Sequence, residues 1–422
     1  MKLPEHLKTF ITGSLITIGG NLILGLSNYL VRRIMVFQLP EFEYGCFYGT
    51  FSLVMILTAI ADLGLVNAGT VLISEKQERA SSFFSAVLYL KILTAGGVGT
   101  LFFLFRGRVA EYYLDGAGSR MLAFFGALIL ISAVNDAFTA YFYGHKYYHI
   151  SSMFRCVTAF VLLGTIALLT RDGSGAGAAA AYVASYLFAV IIQFCWVHQR
   201  SKVGAPLGIS RDIYKQLIKL TGPLSVIACI QIIWANLDSV MLTYLCGPEA
   251  VAVYNVALPV TQLLLSVLIF AAVFLPVATD LAKSGKYEQL QKFANGALII
   301  TIICLPLLFL GCKLYGKLLI VFLFKGSYAD SAAMVLPWLM CGYLLFASGA
   351  FIVQILIAMR KIKVLLAIVI STLFCNIILN YCLIMKLAEF GASLATFFSY
   401  LFFAVATFLL FIGIMKKMNH KM

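Results

Sequence analysis

Residues 294–315 read ANGALIITIICLPLLFLGCKLY, and from Ala294 to Cys312 there is no charged side chain. A run of roughly 18 or more apolar residues is long enough to cross the hydrocarbon of a bilayer as a helix. It is about twice the length of a membrane β-strand, so a barrel is not the alternative. The rest of the chain repeats this pattern. Of 422 residues, 62% are hydrophobic and 11% charged, against roughly 45–50% and 25% in soluble domains. Lipid offers no hydrogen bonds to backbone amides, which leaves helices as the only element these runs can form.

Twelve spans are expected. Six lie at about 10–31, 44–67, 81–105, 120–143, 150–170 and 175–197, and six more at 216–245, 250–278, 294–315, 332–358, 363–385 and 389–415. The first carries Asn21 and Asn28, runs into Arg32 and Arg33 and lacks a small-residue cleavage site, so it reads as a retained membrane helix. Of 31 Lys and Arg, 20 fall on the side shared by both termini and 10 on the other, with Lys91 inside a span. The positive-inside bias then places both termini in the cytoplasm. The net charge of +14 is accounted for by anionic lipid headgroups, and no nucleic-acid partner is expected. Eight of the ten cysteines fall within apolar spans and the other two show no paired spacing, so they read as small hydrophobes. His145 and His149 stand four apart without further ligands, which is too poor a set for a metal site.

An internal repeat divides the chain. GAAAAYVASYLFA from Gly177 and GASLATFFSYLFFA from Gly391 share Gly, Ala, Ala, Ser, Tyr, Leu and Phe at a constant offset of 214. LPEFEYG before the second span matches GPEAVAVYN before the eighth, with two residues inserted. The expected architecture is therefore all-α: twelve transmembrane helices in two pseudo-symmetric six-helix lobes around a central cleft. Residues 1–200 form the N-terminal lobe, 201–215 a cytoplasmic connection, and 216–422 the C-terminal lobe. Parallel repeats of this kind are a transporter architecture with the substrate near the midplane.

Polar groups inside the spans are the functional candidates, because each costs about 2.5–3.5 kcal/mol to bury at a helix centre. Ser14, Thr17, Asn21, Asn28 and Arg32 recur at helical spacing along the first span, with Gly25 on the same stripe. That face either packs on a neighbouring helix or forms a cavity wall. Gln231 and Asp238 share a face of the seventh span. Lys91 lies ten residues into the third span and Asp136 within the fourth. Asp62, Arg155 and Lys219 stand near cytoplasmic ends, where snorkelling to the interface is the ordinary reading. Arg32, Arg33, Lys91, Asn21, Asn28 and Gln231 are the candidate substrate-binding residues, and Asp62, Asp136 and Asp238 the candidate coupling or gating carboxylates. A cleft with cations in excess suits an anionic substrate, since guanidinium binds two phosphate oxygens at once. For Arg32 and Arg33, anchoring at the outer interface stays open as the alternative. No catalytic cluster or large outer loop points to an enzyme, and no cofactor is expected.

LPEFEYGCFYGTFSLVMILTAIADLGLVNAG from Leu39, LDSVMLTYLCGPEAVAVYNVA from Leu237, FLPVATDLAKSGKYEQL from Phe274, FKGSYADSAAMVLPWL from Phe324 and NIILNYCLI followed by GASLATFFSY are similar, in order and spacing, to one family. They resemble the polysaccharide-transporter branch of the multidrug/oligosaccharidyl-lipid/polysaccharide (MOP) exporter superfamily, the lipid-linked O-antigen flippases. The resemblance implies an oligosaccharide on undecaprenyl diphosphate, a unit of O-antigen or a similar surface polysaccharide. The substrate would be carried from the cytoplasmic to the outer leaflet of a bacterial inner membrane, by alternating access. It also implies work alongside polysaccharide polymerase and chain-length machinery, and coupling to protons, sodium or membrane potential. Twelve spans depart from the fourteen usual in peptidoglycan-precursor flippases. The first span lacks the carboxylate typical of the multidrug branch, whose small-molecule exporters are the alternative reading.

Overall fold

The computed structural model describes residues 23–200, 210–266 and 270–419. Among the described residues the structure is helical with no strand, and nine helices are long and apolar enough to cross a membrane. The first described helix, α1, covers residues 23–38; most of the expected first span, with Ser14, Thr17 and Asn21, lies outside the described residues. α2 (Glu41–Asp62), α3 (Leu65–Glu75), α4 (Ala80–Tyr113), α5 (Ser119–Gly144), α6 (Tyr148–Leu169), α7 (Gly175–Arg200), α8 (Arg211–Leu220) and α9 (Pro223–Cys246) follow. Then come α10 (Pro248–Ser266), α11 (Phe270–Lys283), α12 (Tyr287–Leu323), α13 (Ala329–Ala358) and α14 (Ile362–Asn419).

The departures from the expected spans each have a local cause. The second span breaks after Asp62, because Leu63 (φ 49°) and Gly64 (φ 76°) are left-handed and the helix restarts at Leu65. Gly64 N donates to Asp62 Oδ2 at 3.2 Å across the break. The seventh span does not begin at 216: α8 ends at Leu220, and Pro223, with no N–H to lose, opens α9. The last two spans are one helical run interrupted at Ala388, whose φ of 46° and ψ of −127° reverse the chain where the gap between them was expected.

Two compact units partition the chain, Met1–Asn236 and Leu237–Met422. The division falls inside α9, not in the loop 201–215. In the first unit α5 is central and packs on α2, α3, α4 and α7. Small residues permit the closest approaches: a Cβ on Gly99 would come within 2.7 Å of Gly126 O, and one on Gly69 within 2.7 Å of Val87. Phe83, Phe138, Phe142 and Phe154 form an aromatic core that also takes in Ile213 and Leu217, the apolar side of α8. Arg211, Lys215 and Lys219 are exposed on that helix.

In the second unit α13 is central and packs on α10, α11, α12 and α14. Gly342 and Gly349 let it close on Phe397 and Phe403. α12 buries little more than Leu290, Ala294, Thr301, Gly316 and Ile320 and exposes Ile299, Ile303, Leu307, Leu310 and Leu318, the pattern of a helix facing lipid. The repeat is also visible in three dimensions. Gly177 lies so close to the carbonyl of Leu169 that no Cβ fits, and Gly391 lies in the same way against Leu383, each position shifted by 214.

Candidate functional site

Polar side chains of the first unit converge on a cavity of about 670 Å³ enclosed by α1, α2, α3, α5, α6, α7 and the first half of α9. Its size is within the roughly 300–1,000 Å³ of small-molecule sites. Asn28, Asp62, Asn67, Asn135, Asp136 and Arg155 line it, joined by Thr58, Tyr186, Gln193 and Ser225. The broken end of α2 is what admits α9. Gly64 lies against Ser225, where a Cβ would overlap the serine side chain, and Cys229 Sγ reaches Ala59 O at 3.4 Å.

Lys91 stands behind this wall, 2% exposed, with Nζ 2.6 Å from Asp62 Oδ1 and 3.3 Å from Asp136 Oδ2. It does not line the cavity. Two carboxylates neutralise one buried ammonium, and Asp136 keeps 48% of its side chain exposed. Gln193, 5% exposed, holds the next residue of α5 in place: its Nε2 donates to Asn135 Oδ1 at 2.8 Å.

Arg32 is away from the cavity lining. Its guanidinium lies 4.4 Å from the ring centroid of Tyr48, with Tyr44 and Tyr182 beside it. Such a cation–π contact contributes about 0.5–2 kcal/mol. Arg33 turns to its own helix, with Nη1 donating to the Tyr29 hydroxyl at 3.2 Å and the guanidinium 5.2 Å from the Phe37 ring. Gln231 is half-buried in α9 and does not line the cavity, whereas Asn28 does. Asn21 lies outside the described residues, and the other five residues expected to bind substrate do not form one cluster.

In the second unit Asp238, 6% exposed, is the hub of a buried network. Tyr254 OH donates to Oδ2 at 2.8 Å and Thr396 Oγ1 to the same oxygen at 2.5 Å. Asn380 Nδ2 donates to Oδ1 at 2.6 Å and Asn376 Nδ2 at 3.3 Å. The carbonyl oxygen of Asn380 is buried without a hydrogen-bond partner among the described residues. A carboxylate ringed by neutral polar groups, with an acceptor to spare, can hold a proton or one small monovalent cation.

The repeat relates this network to the surroundings of Arg32. Tyr254 matches Tyr44 in the PE-Y motif, and Thr396 is Tyr182 shifted by 214. Equivalent helices thus surround a cation in the first unit and an anion in the second.

Sequence reading overlooked Asn67, Asn135, Gln193 and Tyr186, and assigned Arg155 to the interface. Isolated amides in apolar helices carry no pattern by themselves. Asn376 and Asn380 did have a signal, an i, i+4 pair on one helix face. At the turn after α5, His145 lies with its ring centroid 4.4 Å from that of Tyr141, and burial lowers its pKa. Among the described residues no three His, Cys, Asp or Glu side chains gather to hold a metal ion.

Comparison with known proteins gives a consistent fold. The polysaccharide biosynthesis protein family matches residues 10–282, and the MatE family residues 223–382. An uncharacterized membrane protein of Methanocaldococcus jannaschii is 23% identical over 396 residues, 88% of this chain and 78% of that protein. The lipid II flippase MurJ in an inward closed conformation superposes with a TM-score of 0.77 at 14% identity, covering 94% of this chain and 87% of that one. An inward-facing multidrug resistance MATE family transporter of the MOP superfamily superposes with a TM-score of 0.76 at 15% identity, covering 94% and 96%. At these identities the two structures establish the fold alone.

Proposed function

Because the chain belongs to the polysaccharide biosynthesis protein family, multi-pass transporters and flippases of the MOP superfamily, we propose that it flips a lipid-linked oligosaccharide. The substrate in this reading is a sugar unit of O-antigen type on undecaprenyl diphosphate. It moves from the cytoplasmic to the outer leaflet of a bacterial inner membrane, by alternating access. The observation that carries the reading is a polar cavity of about 670 Å³ inside a unit built from membrane helices. Lipid cannot solvate Asn67, Asp136 and Arg155, so the cavity is wet and open to a hydrophilic cargo.

Arg32 is assigned to the diphosphate, since a guanidinium carries five donors in a planar fork and can serve phosphate oxygens alongside its contacts with Tyr48 and Tyr44. Arg33 extends the cationic surface of the same helix, and Asn28 and Gln231 supply neutral hydrogen bonds. Asp238 is the coupling carboxylate, taking up a proton or sodium ion within its network, and Asp62 and Asp136 are gating groups. An inside-negative membrane potential also drives export, by about 2.3 kcal/mol per uncompensated charge per 100 mV. Both termini face the cytoplasm, and polymerase and chain-length proteins take the product.

A second reading is favoured by two observations. The MatE match over residues 223–382 and the carboxylates of the cavity suit an exporter of small cationic molecules. Purified protein in vesicles separates the two. Flipping of a fluorescent undecaprenyl-diphosphate oligosaccharide, slowed at least about tenfold by Arg32→Ala, is the expected outcome. Cation-driven transport of a cationic dye without lipid flipping would overturn it.

A further inference from the structure

The cavity of the first unit carries charges of both signs. Its charges balance: Asp62 and Asp136 oppose Arg155 in the lining and Lys91 just behind it. A diphosphate entering it would find no surplus cation, and Arg32 and Arg33 do not line it. What the lining offers in excess is neutral hydrogen-bonding capacity. Asn28, Asn67, Asn135 and Gln193 present amides that both donate and accept. Among the described residues, Asn28, Asn67 and Arg155 make no hydrogen bond within the protein, and all three are exposed. Tyr186 adds a half-buried aromatic ring.

A pyranose ring has matching chemistry. Each hydroxyl donates once and accepts twice, the ring carries no charge, and its C–H face packs on an aromatic side chain. We propose that this cavity is a saccharide subsite that takes uncharged sugar rings and discriminates among them, while the diphosphate is held elsewhere. In this arrangement Lys91 is a positioning residue. Together with Arg155 it balances the charge of Asp62 and Asp136, and it leaves the half-exposed carboxylate of Asp136 as an oriented acceptor for sugar hydroxyls.

The proposal rests on the flippase reading for its biological meaning, but its test does not. Full-length protein in lipid nanodiscs is probed by saturation-transfer NMR with a neutral N-acetylated disaccharide, a uronic-acid disaccharide and inorganic pyrophosphate. The neutral disaccharide is expected to bind, and Asn67→Ala and Arg155→Gln each to weaken it by about tenfold. Pyrophosphate binding is expected to be untouched by either change. Both positions are exposed, so thermal unfolding is expected to match the parent protein. Binding that fails to respond to these variants overturns the proposal. So does preferential capture of pyrophosphate or uronate by the same residues, or flipping activity without any disaccharide binding. Disaccharide binding that is lost in Asn67→Ala, in a protein that flips no lipid-linked sugar, would instead leave the subsite standing and remove the flippase reading.

Discussion

Lys91 gains its stability from two partners brought to it by different helices, Asp62 at the end of α2 and Asp136 in α5. A buried pair contributes little net, because desolvation offsets the attraction, and removing Lys91 strands two carboxylates that keep 25% and 48% of their side chains exposed, so solvent screens part of the loss. Lys91→Ala is accordingly expected to lower the thermal stability of the purified protein and its yield in the membrane. Adding Asp62→Asn and Asp136→Asn to that variant should recover most of the loss, because no uncompensated carboxylate then remains. If the triple variant unfolds at the same temperature as the single one, the ion-pair account is wrong. Asp238 differs in kind, because its partners are neutral and its charge is uncancelled within the network.

Among the helices, the breaks are more telling than the spans. α14 reverses at Ala388, whose φ of 46° and ψ of −127° match the first central position of a type II′ turn, where glycine is the usual residue. An alanine there is strained by about 1 kcal/mol. Ala388→Gly should therefore raise the melting temperature without altering transport, a result readable by fluorescence-detected unfolding. An unchanged or lower melting temperature would show that the turn holds no such strain. Gly177 and Gly391 carry the opposite constraint. Each must lack a Cβ because the carbonyl of the residue eight positions earlier occupies the space. That one steric requirement, repeated at an interval of 214, accounts for the glycine at the start of each copy of the repeat.

At the scale of the molecule, the apolar exterior of α4 and α12 needs a solvent other than water, and lipid supplies it. The excess of Lys and Arg on one side of the spans is the basis for expecting both termini in the cytoplasm. Cysteines placed at either terminus of a cysteine-free variant are expected to react with a membrane-impermeant maleimide only after cells are permeabilised, and labelling of intact cells would reverse the topology. The helical membrane fold was legible in the sequence, since the length of an apolar run is a property of neighbouring positions in the chain. The partnership of charges was not. Lys91 reads as a free cation until α2 and α5 deliver Asp62 and Asp136 to it. Asn67, Asn135 and Gln193 become a wall only when α3, α5 and α7 share a cavity. Arg155 joins that lining for the same reason. Composition and periodicity sufficed for a bundle of membrane helices in two related halves, because burying backbone in lipid permits no other element. Which polar groups meet, and so what the cavity can bind, depended on contacts between residues distant in sequence, which the packed helices alone bring together.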